Sequence, residues 1–81
     1  MTAAARAFRI REELRTAIVH ELRLEPVRVI ASDLGITERG ARDIQTGSNL
    51  PRPEHLVVLA REYPNIHRAW LRCVEDREDG E

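Results

Sequence analysis

Apolar residues recur along this chain at three- and four-residue intervals, with no sustained alternation of period two. Phe8, Ile10, Leu14, Ala17, Ile18 and Leu22 follow that spacing with Arg and Glu between them, which predicts a first helix over about residues 4–24. Pro26 ends it, because the ring pushes the preceding residue out of the helical region. Pro26 also suits the first turn of a second helix, where its missing N–H costs nothing. In the stretch "VRVIASDLG", Ile30, Ala31 and Leu34 fall on one face and Arg28, Ser32 and Asp33 on the other. Gly35 supplies the positive φ that stops this helix, Ile36 turns back to the core, and Thr37 is a good N-cap for the next.

The third helix, "ERGARDIQT", is apolar only at Ala41 and Ile44, and Gly47 closes it. Gly35 is therefore the break, and Gly40 lies inside a helix, where glycine costs about 1 kcal/mol relative to alanine. "GSNLPRP" reads as a loop. A fourth helix starts near Pro53 and runs through "EHLVVLAREY" until Pro64 stops it. Asn65 is expected to cap a fifth, in which Ile66, Ala69, Trp70, Cys73 and Val74 share a face. No Asn-Gly or Asp-Gly hairpin turn occurs. The expected fold class is all-α, a compact bundle of about five helices.

Length narrows the picture. A chain of 81 residues makes one domain, read here as 1–76, followed by an acidic flexible tail, 77–81. A domain this small buries only about 60–65% of its unfolded surface, so a partner would add stability. The single cysteine, Cys73, cannot form an internal disulfide, and no signal peptide or membrane-length apolar run is seen. The expected location is cytoplasmic, with no membrane association.

Charge is unevenly distributed. The net charge is −1, and every basic residue is Arg. Residues 1–52 hold nine Arg and seven acids, whereas residues 53–81 hold four Arg and seven acids. The overall sign argues against nucleic acid, while the arginine-rich first half favours it, since guanidinium reaches phosphates and guanine edges in bidentate fashion.

The second and third helices are short and joined by a tight turn at Gly35, which sets them at a steep angle. The inward set is Ile30, Ala31, Leu34, Ile36, Ala41 and Ile44, with Ala31 small where the helices approach. Glu38, Arg39, Arg42, Asp43 and Thr46 point outward. From Val27 to Gly47 these residues resemble a helix-turn-helix of the lambda repressor and Cro type. The likeness extends to Gly47, Pro51 and the Leu59-Ala60 pair of "LVVLA", and covers about residues 26–71. The family often has Gln near the start of the second helix, where Val27 and Arg28 stand here. It often has Glu where this chain has Gln45.

The resemblance implies that the third helix enters the major groove of double-stranded DNA by its N-terminal half. Arg39 and Arg42 would then read guanine, Arg28 would contact a phosphate, and Thr37 and Thr46 would touch phosphate or a thymine methyl. Glu38 and Asp43 can accept from a cytosine amino group and repel phosphate. Gly40, lacking a side chain, either lets the helix backbone approach DNA closely or marks a helix-packing site or a tolerated flaw. The implied function is a small transcriptional regulator, a repressor of bacterial, phage or mobile-element type, needing no cofactor. The alternative is the same fold turned to protein binding, as an anti-activator or adaptor, which the net charge, Glu38 and Asp43 favour.

Other chemistry finds little purchase. His20, His55 and His67 share no metal-ligand spacing, and no nucleophile–base pair, phosphate loop or paired carboxylates stand out. The chain reads as a non-enzyme without a metal site. Trp70 either closes the core or anchors a homodimer, with Trp70, Cys73 and Val74 as the candidate interface.

Overall fold

The computed structural model describes residues 2–75, which contain five helices and no strand. They are α1 (Ala3–Leu22), α2 (Val27–Leu34), α3 (Glu38–Thr46), α4 (Pro53–Glu62) and α5 (Pro64–Glu75). The acidic stretch 77–81 lies outside the described residues. No described helix is long and apolar enough to cross a membrane.

The helix ends follow local chemistry. The Thr2 hydroxyl oxygen accepts from the Ala5 N–H at 3.1 Å and caps α1. That helix stops at Leu22, two residues before the expected end, where the Glu25 N–H donates to the Leu22 carbonyl at 3.0 Å. Pro26 stands just before α2 rather than in its first turn. Its backbone is extended (φ −62°, ψ 135°) and its carbonyl accepts from Val29 and Ile30. At the other end of the chain, Pro64 and not Asn65 opens α5. Tyr63 is held extended (φ −125°, ψ 102°) as the residue before a proline must be. Its carbonyl starts α5 by accepting from Ile66 and His67.

The core draws on all five helices: Ile18 and Leu22, then Ile30, Ala31 and Leu34, then Ala41 and Ile44, then Leu59 and Ala60, then Ile66 and Ala69. Val27, Ile36, Leu50, Leu56, Val58 and Tyr63 pack against it, half-buried. Full burial of each Ile and Leu in this core is worth about 1.5–3 kcal/mol. No polar or charged residue is buried among the described residues.

Helix α1 packs on α3 and α5, α2 on α3 and α4, and α4 on α5. The first and last helices run antiparallel. Cys73 Sγ donates to Glu13 Oε2 at 3.3 Å near one end of the pair. Toward the other end Tyr63 is close enough to Glu21 and Glu25 to feel their charge. The first residues of α1, Ala3 to Ala5, are exposed. The molecule measures 45 × 21 × 20 Å, with a radius of gyration of 13.3 Å against about 12 Å for a chain of this length packed as a sphere-like domain. Phe8, expected on the inner face of α1, is 61% exposed.

The shared face expected on α5 divides in two. Ile66 and Ala69 are buried and Cys73 is half-buried against α1, but Trp70 and Val74 remain exposed. The core direction of α5 is set by α1 and α4 together, and Trp70 lies at its margin.

Candidate nucleic-acid interface

Helices α2 and α3 are joined by the residues Gly35, Ile36 and Thr37. Gly35 takes the left-handed conformation (φ 66°, ψ 36°), where only glycine sits without strain. Its N–H donates to the Ser32 carbonyl at 3.3 Å, and the Ile36 N–H donates to the Ala31 carbonyl at 3.0 Å. This nested pair satisfies the last carbonyls of α2 and folds Ile36 back toward the core. Thr37 then caps α3, its hydroxyl oxygen accepting from the Gly40 N–H at 3.0 Å. That leaves the Thr37 hydroxyl proton free to donate outward.

The inner side of α3 is Ala41 and Ile44, both buried. Its placement is also fixed by a contact that periodicity does not reveal. Gln45 Nε2 donates to the carbonyls of Leu22 at 2.8 Å and Glu25 at 2.7 Å. One side-chain amide thereby ties α3 to the end of α1 and to the loop before α2. Gly47 completes the fit. Its φ is +85°, and a Cβ there would meet Val19 Cγ2 at 3.0 Å and Arg15 Cγ at 3.4 Å, so α1 and the end of α3 touch closely.

The outer side is polar and exposed. With 3.6 residues per turn, Glu38, Arg39, Arg42 and Thr46 fall within an arc of about 100°, and all four are exposed. Neither the Arg39 nor the Arg42 guanidinium has an ion pair or hydrogen bond within the described residues, and the same holds for the guanidinium of exposed Arg28 on the first turn of α2. Glu38 stands in the first turn of α3, where the helix dipole favours an acid.

Two expected contacts are already engaged within the protein. Asp43 is half-buried and turned to the following loop, where Asn49 donates to its carbonyl at 3.1 Å and to its carboxylate Oδ2 at 3.5 Å. The Thr46 hydroxyl donates to the Arg42 carbonyl at 3.0 Å and lies 3.2 Å from Ser48 Oγ. The Thr46 side chain as a whole remains exposed. Gly40 is half-buried, off the outward arc. A Cβ there would face the turn, at 3.3 Å from Thr37 Oγ1 and 3.7 Å from Ile36 Cδ1.

Sequence reading did not foresee the roles of Gln45 and Asn49. The polar pair "SN" after Gly47 was the signal for the second. Nothing local signalled the first, because both of its acceptors lie twenty or more positions away. His20 and His67 are exposed and His55 is half-buried. No cluster of three or more metal-binding side chains occurs among the described residues. No protein-family model, curated protein or solved structure matches the chain.

Proposed function

We propose that this chain is a small sequence-specific DNA-binding regulator of transcription, a repressor that covers its operator, with α2, the turn and α3 acting as a helix-turn-helix. The observation that carries the reading is the two-sidedness of α3. Its inner face is locked by Ala41, Ile44 and Gln45, while its outer face presents Arg39 and Arg42 uncommitted, three residues apart. A rigid helix bearing free guanidinium groups suits the major groove, where Arg reads guanine O6 and N7 in bidentate fashion. Arg28 serves as a phosphate contact, and the free Thr37 proton as a second. With Asp43 held by the loop, Glu38 is the only acid on the outward arc. It accepts from a cytosine amino group and selects against sites that place phosphate there.

The test begins with selection of a binding site from random duplexes. Arg39→Ala and Arg42→Ala are each expected to cost about 1–3 kcal/mol and to relax specificity at one position. Arg28→Ala is expected to weaken all sequences alike and to reduce the salt dependence. Unchanged DNA binding in all three variants would refute the reading. The competing reading, a protein-binding adaptor, draws on the net charge of −1 and on Glu38. It predicts no retention on heparin or non-specific duplex at low salt.

A further inference from the structure

Helices α1 and α5 flank an open groove of about 800 Å³. Along α1 it follows two adjacent rows of side chains, from Phe8 and Arg9 to His20 and Glu21, a span of about 20 Å. Asn65, Arg68 and Arg72, at three- and four-residue spacing, form the α5 wall. Thr16 and Ala17 stand at mid-length on the α1 side, small enough for another backbone to come close. They lie on a different side of α1 from Arg15 and Val19, which stand against Gly47 at the end of α3.

The two walls differ in sign. Glu12, Glu13 and Glu21 line the α1 side, and Arg9 tempers it at the Phe8 end. Two of these acids are engaged: Glu12 pairs with Arg15 at 3.5 Å, and Glu13 accepts from the Cys73 thiol at 3.3 Å. Glu21 keeps an unmet acceptor, since its Oε1 is shielded and accepts no hydrogen bond. The α5 wall is cationic. Arg68 Nη1 donates to Asn65 Oδ1 at 2.8 Å, and the Arg72 guanidinium has no ion pair or hydrogen bond within the described residues.

We propose that this groove takes an amphipathic helix of a partner protein, with a basic flank against α1, an acidic flank against α5 and an apolar ridge over Phe8. Charge complementarity selects this occupant. A small anion drawn to Arg68 and Arg72 would meet Glu12 and Glu13, and a small cation would meet the reverse. Only an occupant wide enough to carry opposite charges on its two sides satisfies both walls, and a helix about 10 Å across does so. Its length also fits, since about 13 helical residues span 20 Å. A basic side chain on its α1 flank gives the Glu21 carboxylate the donor it lacks. The site uses none of Arg28, Arg39 and Arg42, so it stands whether or not α3 reads DNA.

The chemistry of the groove sets the strength. Exposed ion pairs contribute little singly and are screened by salt, so the walls choose the partner more than they hold it. Phe8, 61% exposed at one end, is the apolar anchor such a contact needs.

The experiment titrates the full chain, without DNA and at low salt, into three labelled helical peptides and follows fluorescence anisotropy. The peptides share one leucine- and alanine-bearing face. One has a lysine flank and a glutamate flank, one has lysine on both flanks, and one has glutamate on both. The mixed peptide is expected to bind about tenfold more tightly than either of the others. Phe8→Ala, at an exposed position, should weaken it by about tenfold again. Arg68→Glu combined with Arg72→Glu should transfer the preference to the all-lysine peptide, with far-ultraviolet dichroism unchanged. Arg11→Glu combined with Arg61→Glu makes the same change of charge at exposed positions outside the groove and should leave the ranking as it is in the parent. A mixed peptide bound no better than the uniform ones overturns the proposal, as does the absence of binding by any peptide. Full binding by Phe8→Ala, or a ranking that moves equally in both double variants, overturns it as well, because the peptide would then be held by net charge or elsewhere. None of these readouts involves DNA, so a failure of operator binding would be seen separately.

Discussion

Replacing Gln45 with alanine removes both donors that tie α3 to the end of α1. A net hydrogen bond of this kind is worth about 1 kcal/mol. The Leu22 carbonyl keeps its bond from the Glu25 N–H, and the Glu25 carbonyl is left to water. The expected loss is therefore about 1–2 kcal/mol, against a total of roughly 4–12 kcal/mol for a domain of this length. Melting should fall by roughly 5–15 °C. Gln45→Glu probes the same contact with nearly the same shape. An ionised carboxylate would face two carbonyl oxygens with no proton to offer, so at neutral pH it should be less stable than Gln45→Ala. Folding disfavours the charged form, which raises the new carboxyl's pKa in the folded state. Its destabilisation should then be largest above that raised value and relieved as pH falls through it, when the protonated acid can donate again. Thermal and urea unfolding of the two variants, compared at each pH from neutral to about 4, measures the difference directly. An alanine variant as stable as the parent, or a glutamate variant more stable than the alanine one at neutral pH, would show that the amide does not hold α3 in place.

Ala31→Glu places a carboxylate in the buried seam between α2 and α3 and should leave the chain largely unfolded by circular dichroism. Gly47→Ala should destabilise by about 1–3 kcal/mol in urea unfolding, because the positive φ and the Val19 methyl at 3.0 Å both oppose a side chain. Gly40→Ala should be neutral or stabilising by up to about 1 kcal/mol, since it gains helix propensity and meets only a hydroxyl oxygen at 3.3 Å and a methyl at 3.7 Å. Tyr63, the only tyrosine, should titrate above its usual value of 10.0 in an absorbance titration, because burial and then the charges of Glu25, Asp33, Glu62 and Glu21 disfavour the phenolate. With the folded value raised, its contribution to stability is present below the ordinary tyrosine value and is lost as pH climbs through the raised one.

The sequence made the centre of the fold legible because its signals there are local. Gly35, Ile36 and Thr37 specify a turn by backbone conformation, apolar return and cap, each within a few residues. The inward positions of α2 and α3 follow from one helical period, and Ile30, Ala31, Leu34, Ala41 and Ile44 are all buried. What escaped depends on distant neighbours. Periodicity marked Phe8 as apolar-side, but only the rim of a groove shared with Arg68 and Arg72 of α5 lies beside it among the described residues, and it is 61% exposed. The α5 face divided because two helices approach it, and one helical wheel cannot show where the second one ends. Of the candidate site, the exposure of Arg28, Arg39 and Arg42 was readable from pattern, whereas the engagement of Asp43 with Asn49 depends on how the loop closes.

The antiparallel pairing of α1 with α5 also governs the order of events as the chain is made. Helix α2 contacts both α3 and α4 over short separations, and these three can assemble early, since local contacts close at small entropic cost. Helix α1 cannot complete its packing until α5 arrives, about forty residues later, and joining ends that far apart costs roughly 3 kcal/mol in chain entropy. Until then Ile18 and Leu22 lack the Ile66 side of their cover. A nascent chain that has not yet released α5 should therefore be degradable, and protection from protease should appear in one late step rather than helix by helix.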